Sequence, residues 1–442
     1  MKKKYVRWTL WTIASPFILF IILCILIYLP PIQNFLVDKA AVYASEATGM
    51  NISVGRISLS FPLNLVVTNV DAASPHNDTL LSVRRLQVNV QLLPLLKKQV
   101  EVDGISLQGA TVNSNDLIHG MKLNGTLGEL FISSHGVALD PETAIVNKVL
   151  LKDTDLSLCL NDTAAVDTAA SDTTYWKIIL QDIDLQNVSF ALDMPLDSLS
   201  LAASLDNAIL RDGLIDLHKS AYSLQTFRIE NGRVRYDNGK PLAADSLSSG
   251  LDPSHIALTD IGVKLDSLYY GGRNMKAIIS QFVLKERSGV EIVSATGRMV
   301  SNDKVLRVPS LKLETRDSYL ELNAAMDWNA LDFKGEGLMS ARLMADIGKP
   351  DVVRFMGRMD EKFVRQYPSE PLRIRTGIDG DLNKLKLTTL TAELPGALGL
   401  FARGELTHLT DSLLRGGDIT LEAETKDLKF VSTLAEGIEI PY

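Results

Sequence analysis

Leu86-Gln87-Val88-Asn89-Val90-Gln91-Leu92 alternates apolar and polar side chains for seven residues. Successive side chains of a strand point to opposite faces, so this stretch reads as a β-strand with one apolar and one polar face. The habit runs outward in both directions. Before it lie Ile52-Ser53-Val54, Ile57-Ser58-Leu59 and Leu63-Asn64-Leu65-Val66-Val67. After it come Leu311-Lys312-Leu313, Leu320-Glu321-Leu322, Leu385-Lys386-Leu387 and Ile419-Thr420-Leu421-Glu422-Ala423. Gly, Asn and Asp punctuate these runs, as hairpin turns require. Roughly two thirds of the chain beyond Gly49 reads as strand and turn, against a usual strand share of about a quarter.

One phrase recurs in this background: apolar-x-apolar-x-[Gly/Asn/Asp]-x-x-apolar. It runs from Ile105 and Leu107 through Gly109 to Val112, and from Val149 and Leu151 through Asp153 to Leu156. It returns as Ile183, Leu185, Asn187, Phe190; as Phe227, Ile229, Asn231, Val234; and as Ile256, Leu258, Asp260, Val263. Its starts lie 44, 34, 44 and 29 residues apart, so the chain is not a fixed-period solenoid. The phrase means strand, turn or bulge, strand.

Two stretches interrupt the strands. Asn161–Thr174 and Lys240–Ser254 are polar and small, and both read as loops. A helical insertion is expected over 343–371, with Val352, Phe355, Met356, Met359 and Phe363 as its apolar stripe and Asp351 near its start. Strands resume over 372–442.

The amino end differs in kind. Trp8–Leu29 carries no charged residue, and a helix rising about 1.5 Å per residue over that length would cross a hydrocarbon core of about 30 Å. Lys2, Lys3, Lys4 and Arg7 precede it, while the first charge after it is Asp38. The positive-inside rule then leaves residues 1–7 as a cytoplasmic tail and sends the rest across the membrane. A cleaved signal peptide fits less well, because the apolar run is long and Pro30-Pro31-Ile32-Gln33 follows it in place of a small-x-small site. Cys24 does not make a lipoprotein site, since Leu23 stands where a small residue is needed. Residues 30–49 read as an amphipathic helix, with Ile32, Phe35, Leu36, Ala40, Tyr43 and Ala47 on one face and Gly49 as its stop.

The chain has 45 basic and 53 acidic residues, a formal net charge of −8, and no basic cluster beyond the first seven residues. That balance argues against a nucleic-acid partner. Two cysteines, Cys24 and Cys159, give no disulfide framework. The six histidines are scattered without metal-ligand spacing, and neither a nucleophile elbow nor a phosphate-binding loop occurs. Asp182/Asp184 and Asp379/Asp381 would share a strand face, where solvated turn or strand carboxylates are the ordinary reading. No catalytic residue, cofactor site or metal site is expected, and weight moves from enzyme to binding or transport.

Every alternating strand has an apolar face that something must cover. A second sheet gives a sandwich with a dry core. A long curved sheet instead lines a groove, which exposes more apolar surface than a soluble monomer tolerates unless an apolar partner fills it. Acyl chains are such a partner, and an anchored protein has them beside it.

The order of features resembles the amino-terminal region of the AsmA-like family, most closely its TamB-like members, the inner-membrane subunits of translocation and assembly modules in Bacteroides-type bacteria. The resemblance rests on the basic start and anchor and on Pro31-Ile32-Gln33-Asn34-Phe35-Leu36. It continues through Ala47-Thr48-Gly49-Met50-Asn51-Ile52-Ser53-Val54-Gly55-Arg56-Ile57, Phe61-Pro62-Leu63, Asn69-Val70 and Leu93-Pro94-Leu95-Leu96. Val102-Asp103-Gly104-Ile105-Ser106-Leu107-Gln108-Gly109-Ala110, Tyr367-Pro368, Pro371-Leu372 and Gly380 with Leu385-Lys386-Leu387 complete it.

The resemblance implies a mainly β protein: a transmembrane helix, then a long curved antiparallel-rich sheet forming a β-taco groove over 50–342, with few short helices. It implies an inner-membrane, single-pass protein with its bulk in the periplasm. The groove would pass phospholipid toward the outer membrane, with an outer-membrane barrel protein as a possible partner at the far end. The alternative is a non-catalytic scaffold that assists outer-membrane protein assembly or secretion. TamB-like members run longer and end in a further domain, so a truncated or short variant is expected here. Leu86, Val88, Val90, Ile105, Leu107, Val112, Ile183, Leu185, Phe190, Phe227, Ile229 and Val234 are the expected groove lining.

Overall fold

The computed structural model describes residues 39, 41–42, 45–46, 48–60, 64–74, 78–91, 102–114, 120–138, 142–161, 175–240, 250–331, 337–356 and 361–430. Over these the protein is mainly β, built of long antiparallel sheet with few short helices. The chain forms two compact units: residues 1–171 with 185–192, and residues 172–184 with 193–442.

The first unit contains β1 (Asn51–Ser60), β2 (Asn64–Ala73), β3 (Thr79–Val90), β4 (Val102–Asn113), β5 (Met121–Ala138) and β6 (Thr143–Leu160). Each pairs antiparallel with the next in sequence. Strand β7 (Lys177–Met194) contributes residues to both units. The second unit continues with β8 (Leu199–Asp216), β9 (Ala221–Leu224), β10 (Thr226–Asp237) and β11 (His255–Gly271). Strands β9 and β10 together lie between β8 and β11. From β11 a meander runs through β12 (Asn274–Glu286), β13 (Glu291–Ser301), β14 (Val305–Thr315), β15 (Tyr319–Asp327) and β16 (Met339–Ile347). It closes with β17 (Leu372–Gly380), β18 (Lys384–Leu394), β19 (Leu398–Thr407) and β20 (Gly416–Thr425). Turn chemistry follows the sequence signals. Gly272, at φ +65°, opens the two-residue loop between β11 and β12, where an L side chain is strained.

The recurrent phrase turns out to be a bulge. Gly109, Asp153, Asn187, Asn231 and Asp260 all take φ between +49° and +62°, each in the middle of a strand. Asn69 in β2 and Asp212 in β8 do the same. Gly, Asn and Asp are the residues that enter this left-handed region at least cost. The extra residue shifts the alternation by one, so apolar residues two before and three after it return to the same face. Strand β1 shows the shift most plainly: Ile52, Val54, Ile57 and Leu59 are half-buried, while Gly55 and Arg56 are exposed side by side. In β10 the exposed residues are Arg228 and Glu230 before Asn231, then Arg233 and Arg235 after it.

In the first unit the shift falls at one level on every strand, as a seam through Gly55, Asn69, Arg84, Gly109, Gly128 and Asp153. The pairing on either side stays one to one because both partners carry the extra residue together. Two glycines of the seam face bulk on the next strand: a β-carbon on Gly55 would meet Asn69 Cβ at 3.0 Å, and one on Gly128 would meet Asp153 Cβ at 2.7 Å. In the second unit the bulges show as register shifts at Asn231–Gly232, at Asp260, and in β14 between Val308 and Leu311. Pro309, which has no N–H to give a ladder, sits inside that last shift.

Residues 343–347, expected as the start of the helical insertion, belong to β16. Their own alternation prevails: Leu343 pairs with Leu322 and Ala345 with Leu320. Helices occupy Lys349–Met356 and Glu361–Gln366 instead. Val352 and Phe363 pack on a small core of Tyr367, Leu394, Ala397 and Phe430, whereas Phe355, expected on the same stripe, is 55% exposed. Asp351, at the first turn of the longer helix, is almost completely buried. Its carboxylate accepts hydrogen bonds from Thr315 Oγ1 and Ser318 Oγ and pairs with Arg354 at 3.1 Å, which pins the helix to the β14–β15 hairpin.

At the amino end, residues 39, 41, 42, 45, 46 and 48 are helical, and Gly49 follows at φ +71°. The apolar stripe expected of that helix (Ile32, Phe35, Leu36, Ala40, Tyr43 and Ala47) lies outside the described residues. So do Trp8–Leu29 and most of the two expected loops. Among the described residues no helix is long and apolar enough to cross a membrane.

Candidate functional site: the apolar face of the sheet

In the first unit the apolar residues align into rows that run across six strands. One row is Ile57, Val67, Leu86, Leu107, Leu130 and Leu151; the next is Leu59, Leu65, Val88, Ile105, Ile132 and Val149. Beyond the seam the face continues with Ile52, Ala72, Leu81 and Val112. Thus Leu86, Val88, Ile105, Leu107 and Val112 stand on one surface, and Val90 extends it opposite Val102. The reverse surface carries Arg85, Gln87 and Asn89, joined by side-chain hydrogen bonds of 3.2 Å.

The remaining expected residues divide between the units. Leu185 and Phe190 lie on the part of β7 in the first unit; Ile183 lies on the part in the second. Phe227, Ile229 and Val234 face Leu210, Ala208 and Ala203 of β8 and Leu265, Val263 and Leu258 of β11. Sequence reasoning missed Leu130, Ile132, Val149 and Leu151 as members of the face. Val149 and Leu151 already stand in the recurrent phrase, whereas Leu130-Phe131-Ile132 is an unbroken apolar run that does not say which face it serves.

Burial decides what kind of face this is. None of the twelve expected residues is buried: ten are half-buried, and Ile105 and Phe190 are 36% and 39% exposed. A dry sandwich core would hide such side chains almost entirely.

The polar groups are structural. Arg211 lies between Asp182 and Asp184, 3.0 Å from the latter, so that carboxylate pair already has its cation. Asp379 pairs with Arg342 at 2.5 Å, and Asp381 accepts turn N–H groups from Asn383 and Lys384. His255, largely buried, meets Asp252 through Nδ1 at 2.8 Å and Asp237 through Nε2 at 3.5 Å. The hydrogen bond from His255, and then that from the Ser254 N–H, hold the Asp252 carboxyl below its ordinary value of 3.8. Together they clasp the two ends of the segment between β10 and β11. Among the described residues no three His, Cys, Asp or Glu side chains come together as a metal site.

The class defined by this architecture is a mainly β protein with a long antiparallel-rich sheet and few short helices. No family model matches the chain, and no curated protein matches it.

Proposed function

We propose that this is an inner-membrane-anchored groove protein that carries phospholipid toward the outer membrane. The observation that supports it is the half-exposed state of two whole apolar rows, from Ile57 to Leu151 and from Leu59 to Val149, on strands that sealing would bury. Acyl chains fit such a surface: they are apolar, flexible and long enough to lie along a row. The bulge seam supports curvature, because a bulge bends its strand and raises the local twist. On this reading the apolar stretch Trp8–Leu29 holds the chain in the membrane that supplies the lipid, and the β-taco form follows from the AsmA-like resemblance. Catalysis has no part in it.

The test is position-specific crosslinking in the full-length protein, which separates groove lipid from lipid around the anchor. A photoreactive side chain at position 88 or 107 is expected to give phospholipid adducts by mass spectrometry, and one at position 87 or 108 is not. Equal adducts on both faces, or none at 88 and 107, would remove the reading.

A scaffold that engages another envelope protein through a sheet edge is the second reading. Among the described residues β20 pairs with β19 alone, and all ten of its residues are exposed. Such an edge can accept an added strand. Crosslinks from position 420 to another protein, together with an absence of lipid adducts, would favour this reading over transport.

A further inference from the structure

One end of the sheet in the second unit gathers exposed aromatic side chains. Tyr222 and Tyr270 are direct cross-strand partners on β9 and β11, 41% and 47% exposed, with ring centroids 6.3 Å apart and planes 29° apart. Neighbouring Tyr269 is 41% exposed on the other face. Tyr175, 52% exposed, meets His218 edge-on at 5.3 Å, and the Leu217 N–H bonds to the Trp176 carbonyl at 3.0 Å. Strand ends of β7, β8, β9, β11 and β12 therefore bring these rings to one rim.

Cations share the rim. Lys177, Lys219, Arg273, Lys276 and Lys304 are all exposed, and among the described residues none of them forms an ion pair. Arg273 instead lies over the Trp328 ring at 5.8 Å. Two carboxylates lie nearby, Asp216, which is buried and caps the Lys219 N–H, and Asp303, which accepts from Asn274, against five cations. A cationic rim on a chain of net charge −8 is a local feature, not a reflection of composition.

We infer that this rim docks on an anionic phospholipid surface. Tyrosine and tryptophan favour the zone where one end of the ring is apolar and the other wet. Unpaired lysines add attraction to acidic headgroups that fades within a Debye length. Exposed tyrosines beside lysines that form no ion pair match the aromatic and cationic make-up that the headgroup zone of an anionic bilayer attracts. This contact stands apart from the groove reading, since it does not depend on what lies along the apolar face.

The experiment holds the full chain in a neutral nanodisc and floats it with separate vesicles, either of phosphatidylcholine alone or with phosphatidylglycerol added. Co-flotation is expected with the anionic vesicles only and is expected to weaken in high salt. Lys177→Glu, Lys219→Glu and Lys276→Glu together should lower it at least about tenfold. Tyr222→Ser with Tyr270→Ser should lower it too, while Tyr222→Phe with Tyr270→Phe retains most of it. The control triple Lys152→Glu, Lys264→Glu, Lys312→Glu changes the same charge on positions inside β6, β11 and β14 and should leave binding intact. Equal binding to both vesicles, equal loss in the control triple, or disc self-association without vesicles would overturn the inference. Lipid adducts at position 88 are scored separately, so either idea can fail alone.

Discussion

A β-carbon added at Gly128 has nowhere to go: Asp153 Cβ would lie 2.7 Å away and the Asp153 and Lys152 carbonyl oxygens 3.0 Å away. Gly128→Ala is therefore expected to push β5 from β6 and cost about 1–3 kcal/mol, as overpacking does. Gly399→Ala, where no atom lies within 4 Å, is the control and should be nearly neutral in the same thermal melts. Asn69 makes the complementary point, because its φ of +52° lies in the left-handed region that a β-branched residue enters only under strain. Asn69→Val should cost about 1–2 kcal/mol and Asn69→Gly much less, measured by urea unfolding. At this scale the sequence was informative. The Gly/Asn/Asp position of the recurrent phrase, read as a turn or bulge, coincides with five left-handed residues. Asn69 and Asp212 escaped, although the phrase also fits them when Ala is counted among its apolar residues.

Among the elements, the helix Lys349–Met356 depends on one buried carboxylate. Asp351→Ala leaves the Thr315 and Ser318 hydroxyls and Arg354 without their acceptor, at an expected cost of about 1–3 kcal/mol. Hydrogen exchange should show lost protection at 349–356 before the strands respond. The β10–β11 clasp gives a pH dependence with a definite sign. The Asp252 carboxyl is depressed in the folded chain, so its stabilisation is complete above the ordinary value of 3.8 and is lost as pH falls through the folded value. Acid titration of Asp252→Asn should lack that component. Strand positions were legible because alternation is a local signal. The start of the helical insertion was not, since Leu343-Met344-Ala345 is an unbroken apolar run whose strand pairing shows only in its partners on β15. The aromatic rim was invisible for a related reason: Tyr175, Tyr222 and Tyr270 are far apart in sequence, and only the ladder brings them to one end.

On the scale of the whole molecule, stability is spread along ladders more than it is gathered in the small core around Phe430. Strands touch chiefly their ladder neighbours, so each behaves as a repeat in a nearly one-dimensional array. Ala402 on β19 is 3% exposed, and Ala402→Asp should strip exchange protection from β18–β20 while β10–β12 keep theirs. Val88→Glu probes the open face. With Val88 half-buried, the loss of stability is expected to stay below about 1 kcal/mol; a sealed site would lose several. Intact melting with abolished lipid adducts is the expected pair of results. The bulge seam has one more consequence, for how such a chain tolerates change. Substitutions along it are ordinary lesions, but a one-residue deletion at Asp153 would act like a frameshift written in protein. It would leave β6 correct up to the lesion and turn its remaining length inside out, polar where its neighbours are apolar. Strand length at the seam is thus inherited jointly, and six strands must keep count together.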